Sequence, residues 1–244
     1  DYSSISAYGI RAIYTASIDA LTQMQNELGV DMRSAFVAVV ISKLMLEQNV
    51  RLLSQARSRA IGQGTYRAVD LSRGSDMTQA FNNTSAIASE ILPAIEDSKR
   101  RIIEKSQHAP AGFDVYVSGQ LGTLMKILAD DTNFIPTGLT LGAPNNIVRI
   151  GSRGSDNFYY LPTDLGVLED GETDVRGVTV AFAEALIVAR SAEPAKSVFV
   201  GHIAVPVVTD DVRAVAFENG VTFYTRQACQ MNKNKRFGSQ IALL

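Results

Sequence analysis

The chain of 244 residues has no tryptophan, two histidines and a single cysteine, Cys229. One cysteine excludes an intramolecular disulfide and a cysteine-based zinc site, and Cys229 reads most simply as a small apolar residue in a strand. No apolar run approaches the roughly 20 residues that a membrane-spanning helix needs, and the start does not resemble a secretory signal peptide. These absences favour a protein of the cytoplasm.

The charge balance also excludes one function class. Lys and Arg number 23, Asp and Glu number 25, and the formal net charge is −2. A protein that coats nucleic acid through a strongly basic surface would carry a clear positive excess. The composition therefore predicts an ordinary globular protein of one large or two small domains.

The N-terminal part predicts helices. Apolar residues near helical spacing indicate an impure helix over residues 2–28, within an N-terminal helical segment 1–31. Because the chain starts at Asp1 rather than methionine, we expect an upstream part that was removed or is missing. Asp31 is a candidate N-cap for a long helix over residues 32–59, which Gly62 and Gly64 end.

The two halves of that long helix predict different surroundings. Residues 35–46 are apolar almost all round, which favours burial on several sides. The second half carries polar residues and is expected to emerge into solvent or a polar interface; these are Arg51, Gln55, Arg57 and Arg59. A further helix starts at Asp76 or Thr84 and runs to Lys105, and Pro93 is expected to kink or divide it.

Strands dominate the second half of the chain. We predict strands at 113–117, 146–150, 158–161 and within 198–208, a short helix capped by Ser118, and an acidic loop over 163–177. Residues 178–190 are ambiguous, with a strand favoured at 178–180. From Asp210 on, two strands joined at Asn219-Gly220 precede a basic turn and a final apolar strand, 237–244. Helices first and strands later indicate an α+β fold.

Several groups of residues offer chemistry, each beside a simpler structural reading. Gly151–Ser155 could bind phosphate through backbone amides, but it lacks a P-loop lysine and precedes a strand, so a hairpin loop is favoured. Asp130-Asp131 and Asp210-Asp211 could supply metal oxygens, but adjacent acids usually cap elements or lie in turns.

The histidines and the basic clusters are equally weak signals. His108 and His202 lack metal-ligand spacing, and no serine lies in a nucleophile elbow, although a triad assembled in space stays open. Lys99-Arg100-Arg101 and Lys233–Arg236 could contact phosphates, but a helix end and a solvated turn or subunit interface are favoured. The residues alone therefore predict no catalytic, cofactor or metal site.

The order of elements carries a resemblance. It consists of the long helix, the second helix leading to Phe113–Val117, the short helix 118–128, paired strands at 147–151 and 159–162, and closing segments 217–226 and 236–243. This order resembles the major capsid protein of tailed bacteriophages, the Hong Kong 97-like fold. The resemblance implies a spine helix and following helix (32–106) passing from a peripheral into an axial domain. A mainly axial region (107–209) and return strands to the peripheral domain (210–244) would follow.

The resemblance also implies a function. The chain is expected to self-assemble as pentamers and hexamers of an icosahedral shell around double-stranded DNA, without sequence specificity, enzyme activity, cofactor or membrane. Scaffold, portal and cement proteins would be further partners, and the location would be the virion, assembled in the host cytoplasm. Near-zero net charge suits such close packing. An encapsulin-like compartment is the alternative, and a small phosphate-binding enzyme built on Gly151–Ser155 is a remote one.

Overall fold

The structure is a computed structural model in which the chain forms two compact units. It describes residues 8–29, 31–62, 66–69, 84–106, 109–119, 121–122, 125, 135–136, 147–175, 178–191, 199–203, 207–213, 218–231 and 238–243. Unit 1 comprises Asp1–Asn49 and Phe199–Gln230, and unit 2 comprises Val50–Val198 and Met231–Leu244. His108, Asp130-Asp131 and Lys233–Arg236 lie outside the described residues.

The first described element is a strand, which corrects the prediction of a helix over residues 2–28. Strand β1 spans Tyr8–Ser17, and helix α1 follows at Ile18–Leu28. Ile10 and Ala12 are half-buried while Gly9 and Arg11 are exposed, which is the alternation of a strand. The β-branched and aromatic residues of this segment fit a strand as well as a helix, and pairing with a second strand along all of β1 decides between them.

Both helices of the N-terminal part have clear ends. The hydroxyl of Ser17 accepts the backbone N–H of Ala20 at 3.2 Å at the start of α1. Gly29 ends α1 with φ +63°, and its N–H bonds to the carbonyl of Met24. Helix α2 spans Met32–Gly62, so it starts after Asp31 and ends at Gly62 as predicted. Its 31 residues extend roughly 45 Å.

Unit 1 contains a sheet with the strand order β1-β11-β10, and β9 also pairs with β11. The new strands are β9 (Phe199–Ile203), β10 (Val207–Arg213) and β11 (Glu218–Met231). The predicted turn at Asn219-Gly220 is wrong, because both residues lie inside β11 and pair with Ala16 and Thr15 of β1. They also pair with β10, so the register places the connection between β10 and β11 before Glu218.

Unit 2 contains an eight-stranded sheet in the order β2-β12-β8-β3-β6-β5-β4, with β7 paired to β8. Its strands are β2 (Tyr66–Val69), β3 (Gly112–Val117), β4 (Ile135–Pro136), β5 (Val148–Arg153), β6 (Asp156–Tyr160), β7 (Asp170–Val175), β8 (Val178–Arg190) and β12 (Gly238–Leu243). Residues 183–189 of β8 are all buried, which resolves the ambiguous segment as a central strand covered on both faces.

The last strand, β12, lies inside the sheet of unit 2. It pairs antiparallel with β8 and parallel with β2, and β8 pairs in turn with β3. The region 210–244, predicted to form return strands to a peripheral domain, is divided between the two units at Met231. Its final strand shares a sheet with β3.

Three further predictions in unit 2 have clear outcomes. Helix α3 spans Thr84–Ser106 without division, because Pro93 lies on its exposed side. The expected loop 163–177 instead contains a 3₁₀ turn at Thr163–Leu165 and the strand β7, whose acidic residues pair through their backbones with β8. The predicted strand 113–117 and the paired strands on either side of Gly151–Ser155 are confirmed.

Candidate interaction surface

The first half of α2 exposes apolar side chains. Ile41 is 37% exposed and Met45 is 50% exposed, and Ala38 lies exposed on the same side one to two turns earlier. We name Ala38, Ile41 and Met45 the α2 stripe. The predicted burial of this half on several sides is therefore wrong for the single chain. One side, with Leu44 and Gln48, is buried, and the stripe is not.

The second half of α2 is the better buried half, and its Arg57 lies in a polar contact, which is one of the two surroundings predicted for this half. Leu53, Ala56 and Ala60 are almost completely inaccessible to solvent. About three helical turns separate Met45 from Ala56, so the α2 stripe continues the face that is buried further along the same helix. Arg57 does not emerge into solvent, because it is bound by carboxylates of unit 2.

A buried ion pair fixes Arg57. Its Nε and Nη2 donate to the two carboxylate oxygens of Glu184 at 2.9 and 3.1 Å, and Glu184 is 4% exposed. Nη2 also lies 2.8 Å from Oε1 of Glu169, whose backbone N–H donates to Glu184 Oε2 at 2.8 Å. The hydrogen bond to Glu184 is the main cause that raises the pKa of Arg57. This bidentate geometry holds the second half of α2 on β8.

Ser118 contributes to the same place in an unexpected way. Its hydroxyl donates to the carbonyl oxygens of Glu184 and Glu169 at 3.3 and 3.4 Å. Its carbonyl does accept the N–H of Gly122 at 3.0 Å, and the neighbouring Leu121 and Met125 are buried.

The predicted basic cluster of α3 is paired with acids. Lys99 is buried, and its Nζ lies 2.6 Å from both Asp156 Oδ2 and Glu96 Oε1. Asp156 Oδ1 accepts the backbone N–H of Phe113 at 2.9 Å. Arg100 pairs with Asp97 and Glu104, and Arg101 pairs with Asp97. All three cations of the cluster are thus paired with carboxylates. This agrees with the simpler interpretation of the cluster as part of a helix end rather than a phosphate site.

An open cleft of about 370 Å³ lies beside this ion pair in unit 2. Its lining includes Lys99, Asp156, Phe113 and Ile103. The carboxylate oxygens bind Lys99, and Lys99 also lies 5.8 Å from the centroid of the Phe113 ring. The lining carries the acids Glu96, Glu104 and Asp156 against the cations Lys99 and Arg100, and both cations form ion pairs with these acids.

The favoured hairpin reading of Gly151–Ser155 is confirmed, with a shorter turn: Gly151, Ser152 and Arg153 lie in β5, and Gly154-Ser155 form the turn to β6. Gly154 has φ +60° at the turn between β5 and β6. The carbonyl of Ser155 accepts from Nη2 of Arg190 at 2.6 Å, and Gly112 lies so close that an added Cβ would be 2.5 Å from that oxygen. The loop is therefore packed against β3 and β8.

The remaining candidate residues form no metal site in the described part of the chain. Among the described residues, no group of three or more His, Cys, Asp or Glu side chains is close enough to hold a metal ion. His202 lies in β9, Asp210 and Asp211 lie in β10, and Cys229 lies in β11. None of the helices in the described ranges combines the length and apolar character that crossing a lipid bilayer requires.

Unit 1 presents a second exposed surface, on one face of its sheet. Ile13 of β1, Tyr224 of β11 and Val207 of β10 are 52%, 40% and 55% exposed. Arg11 and Arg226 are exposed beside them. We name these five residues the sheet patch. The sequence pattern does not reveal this patch, because the helix predicted over residues 2–28 includes β1.

The comparisons with known proteins identify the fold. No protein-family model and no curated protein sequence matches the chain. A chain in the capsid of Ralstonia phage GP4 matches 98% of this chain over 73% of its own length, with a TM-score of 0.55 and 11% identity. A chain in the capsid of cyanophage P-SCSP1u matches 97% of this chain over 72% of its own length, with a TM-score of 0.54 and 8% identity.

A protein compartment gives a comparable match. The holo-SrpI encapsulin complex from Synechococcus elongatus PCC 7942 matches 96% of this chain over 73% of its own chain, with a TM-score of 0.50 and 11% identity. The chain therefore has the mixed helix-and-sheet fold of these shell proteins. The resemblance to phage capsid proteins that the order of elements predicts is confirmed at the level of the fold.

Proposed function

We propose that the chain is a major capsid protein with the Hong Kong 97-like fold, which self-assembles into an icosahedral phage shell around double-stranded DNA. The observation that carries this proposal is the fold match to phage capsid chains over nearly the whole chain. Pentamers and hexamers of the chain would be the building blocks, and the virion would be its location.

The exposed surfaces of unit 1 support self-assembly. The α2 stripe and the sheet patch together present five large side chains that are apolar or aromatic: Ile13, Ile41, Met45, Val207 and Tyr224. Exposed groups of apolar side chains of this kind are candidate sites of protein association. In an assembled shell, neighbouring copies would remove these side chains from water.

The division into units suggests a domain assignment. We assign unit 1, with the first half of α2 and the strands β9 to β11, to the peripheral domain. Unit 2, with β3 and most of the region 107–209, would be the axial domain. Residues 231–244 then belong to the axial domain. Helix α2 has its first half in unit 1 and its second half in unit 2, and it would serve as the spine helix.

A structural role also suits the buried charges. Arg57 pairs with Glu184, and Lys99 pairs with Asp156, so these groups serve to hold elements together. We expect no enzyme activity. Scaffold, portal and cement proteins are the further partners that such a shell would use, and DNA would be enclosed without sequence specificity.

The experiment is expression of the chain, with and without a co-expressed scaffold, followed by electron microscopy and sedimentation velocity. Closed shells of uniform size are expected. A protein that stays monomeric under all conditions would contradict the proposal.

An encapsulin-like compartment is the second candidate, because the encapsulin chain matches this fold over a similar extent. The contents of purified shells separate the two functions. Nuclease-protected double-stranded DNA in particles from infected cells supports the capsid. A protein cargo identified by mass spectrometry, with no protected DNA, supports the compartment.

A further inference from the structure

The sheet patch lies on one face of the sheet of unit 1. In the register, Tyr224 of β11 lies opposite Arg11 of β1 on one side and opposite Val207 of β10 on the other. Residues that face each other across an antiparallel pair project to the same side of the sheet, as do residues two apart along a strand. Ile13 and Arg226 therefore share this face, and all five residues of the patch are exposed.

The aromatic ring of the patch is held in place. A Cβ added at Gly9 would lie 3.1 Å from Cε2 and from the hydroxyl oxygen of Tyr224, so the ring lies directly over the Gly9 backbone. A side chain at position 9 would press on the ring. Tyr224 therefore packs on β1 in the middle of the patch, and this contact restricts its ring before any partner binds.

The composition of the patch indicates a protein partner rather than a polyanion. Tyr, Ile and Val surround two guanidinium groups, and Tyr and Arg are the residues most enriched where protein surfaces bind each other. Within the described residues, neither Arg11 nor Arg226 forms an ion pair. A surface for phosphates would carry more cations and less aliphatic area. The patch therefore fits a partner surface that carries carboxylates beside apolar groups.

The same chain carries such a segment. Residues 163–175 contain five acids and no Lys, Arg or His; the acids are Asp164, Glu169, Asp170, Glu172 and Asp174. The segment comprises the turn Thr163–Leu165, with Asp164 exposed, and the strand β7. Leu165 is half-buried and adds apolar surface next to the acid. Its charge is opposite to that of the sheet patch.

We propose that the sheet patch of one copy binds the acidic segment 163–175 of a second copy. This inference rests on the proposed function, because it names one contact through which the shell would form. The two surfaces differ, so the contact is head-to-tail and is repeated from copy to copy until the rotation closes a ring. Arg11 and Arg226 would pair with carboxylates, while Tyr224 and Ile13 would bury apolar area.

Charge reversal tests the contact. The variant Arg11→Glu/Arg226→Glu should raise the protein concentration needed for assembly by about tenfold or more, since like charges then face each other. Circular dichroism and the thermal midpoint should stay unchanged because both side chains are exposed. Lys105→Glu/Arg149→Glu makes the same change in net charge at exposed positions of unit 2 and should assemble like the wild type.

Restoration identifies the partner segment. Adding Asp164→Arg and Glu172→Arg to the Arg11→Glu/Arg226→Glu chain should bring the assembly concentration back towards that of the wild type. Glu169 is left unchanged because it also binds Arg57. Assembly is measured by sedimentation velocity and electron microscopy, and the wild-type contact should weaken as salt rises.

Each other result has a definite meaning. Normal shells from Arg11→Glu/Arg226→Glu would overturn the contact and leave the proposed function standing. Loss of shells without restoration would overturn segment 163–175 as the partner. Normal shells that have lost only their DNA would overturn it in favour of a nucleic-acid surface. A wild-type chain that never forms oligomers would instead contradict the proposed function itself.

Discussion

The two halves of α2 have opposite sequences and opposite surroundings, but not in the combination that hydrophobicity predicts. The first half is apolar almost all round, and its α2 stripe is exposed. The second half carries several polar residues, and it buries Leu53, Ala56 and Ala60. The difference teaches that hydrophobicity alone does not decide burial: the polar half is packed within one chain, whereas the apolar half leaves its stripe exposed there.

The ion pair of Arg57 explains why the polar half is stable where it is. The buried carboxylate of Glu184, on the central strand β8, needs a cationic partner. Arg57 supplies it through two hydrogen bonds. The first half has no comparable charge, because Lys43 is the only charged residue between Ser34 and Leu46. Its apolar surface is what an assembly contact requires.

The largest effect is expected when the α2 stripe is made charged. Ile41→Glu/Met45→Glu should abolish shell formation, because two carboxylates would have to be buried between copies. The free energy of unfolding of the free chain should change by no more than about 0.5 kcal/mol, since both positions are exposed. Electron microscopy and urea denaturation measure the two outcomes. Ser54→Glu, at an exposed position of the second half, is the control and should form shells.

The next effect concerns the ion pair of the second half. Arg57→Ala should lower the free energy of unfolding by about 4 kcal/mol, because Glu184 is left buried without its partner. Chemical denaturation of the unassembled protein gives the value. Arg57→Leu/Glu184→Leu removes both charges and should cost clearly less. If the double variant is the less stable one, the cost of unpaired charge is not the cause.

A matched pair of truncations compares the halves directly. Leu53→Ala should destabilise the chain by about 3 kcal/mol, because it leaves a cavity at a buried position. Val39→Ala, at an exposed position of the first half, should cost at most about 0.5 kcal/mol. Equal losses in urea denaturation would mean that the first half is covered within the single chain.

The smallest effect extends the comparison to two tyrosines, one in each unit. Burial raises the pKa of Tyr116 in β3, and the nearby Asp114 and Tyr159 add to the shift. Above the ordinary value of 10.0, the unfolded chain releases the phenolic proton and the folded chain keeps it, so stability falls as pH rises. Tyr116→Phe should reduce the loss in unfolding midpoint between pH 8 and pH 11.

The control for that measurement is Tyr224→Phe, at the exposed tyrosine of the sheet patch. This variant should keep the alkaline loss of the wild type. Tyr116→Phe also keeps the aromatic stacking on Tyr159, whose ring centroid lies 5.2 Å away. An identical alkaline loss in wild type and Tyr116→Phe would show that another group is responsible.

Local signals predicted much of the fold. The start and end of α2, the hairpin around Gly154 and the strand 113–117 follow from caps, glycines and β-rich runs that act over a few residues. The α+β class follows from the order of those elements. The same order also carried the resemblance that the solved structures confirm at the level of the fold.

Contacts between residues far apart in the chain determine the features that local sequence signals do not predict. Asn219-Gly220 has the signature of a tight turn, yet it lies in β11 because strands on both sides pair with it. Arg57 and Glu184 are 127 residues apart, so no spacing rule could join them. One signal was available: Glu184 interrupts an otherwise apolar run in β8, and a buried acid needs a cation.

Because β12 is the last described strand of the chain, the sheet of unit 2 can be completed only late in synthesis. β12 lies between β2 and β8, which a ribosome synthesises before it. Until residues 238–243 emerge, the edge of β8 stays open and β2 lacks its described neighbour. Completion of this sheet is therefore a late, non-local step, and a growing chain exposes an apolar strand edge to other chains.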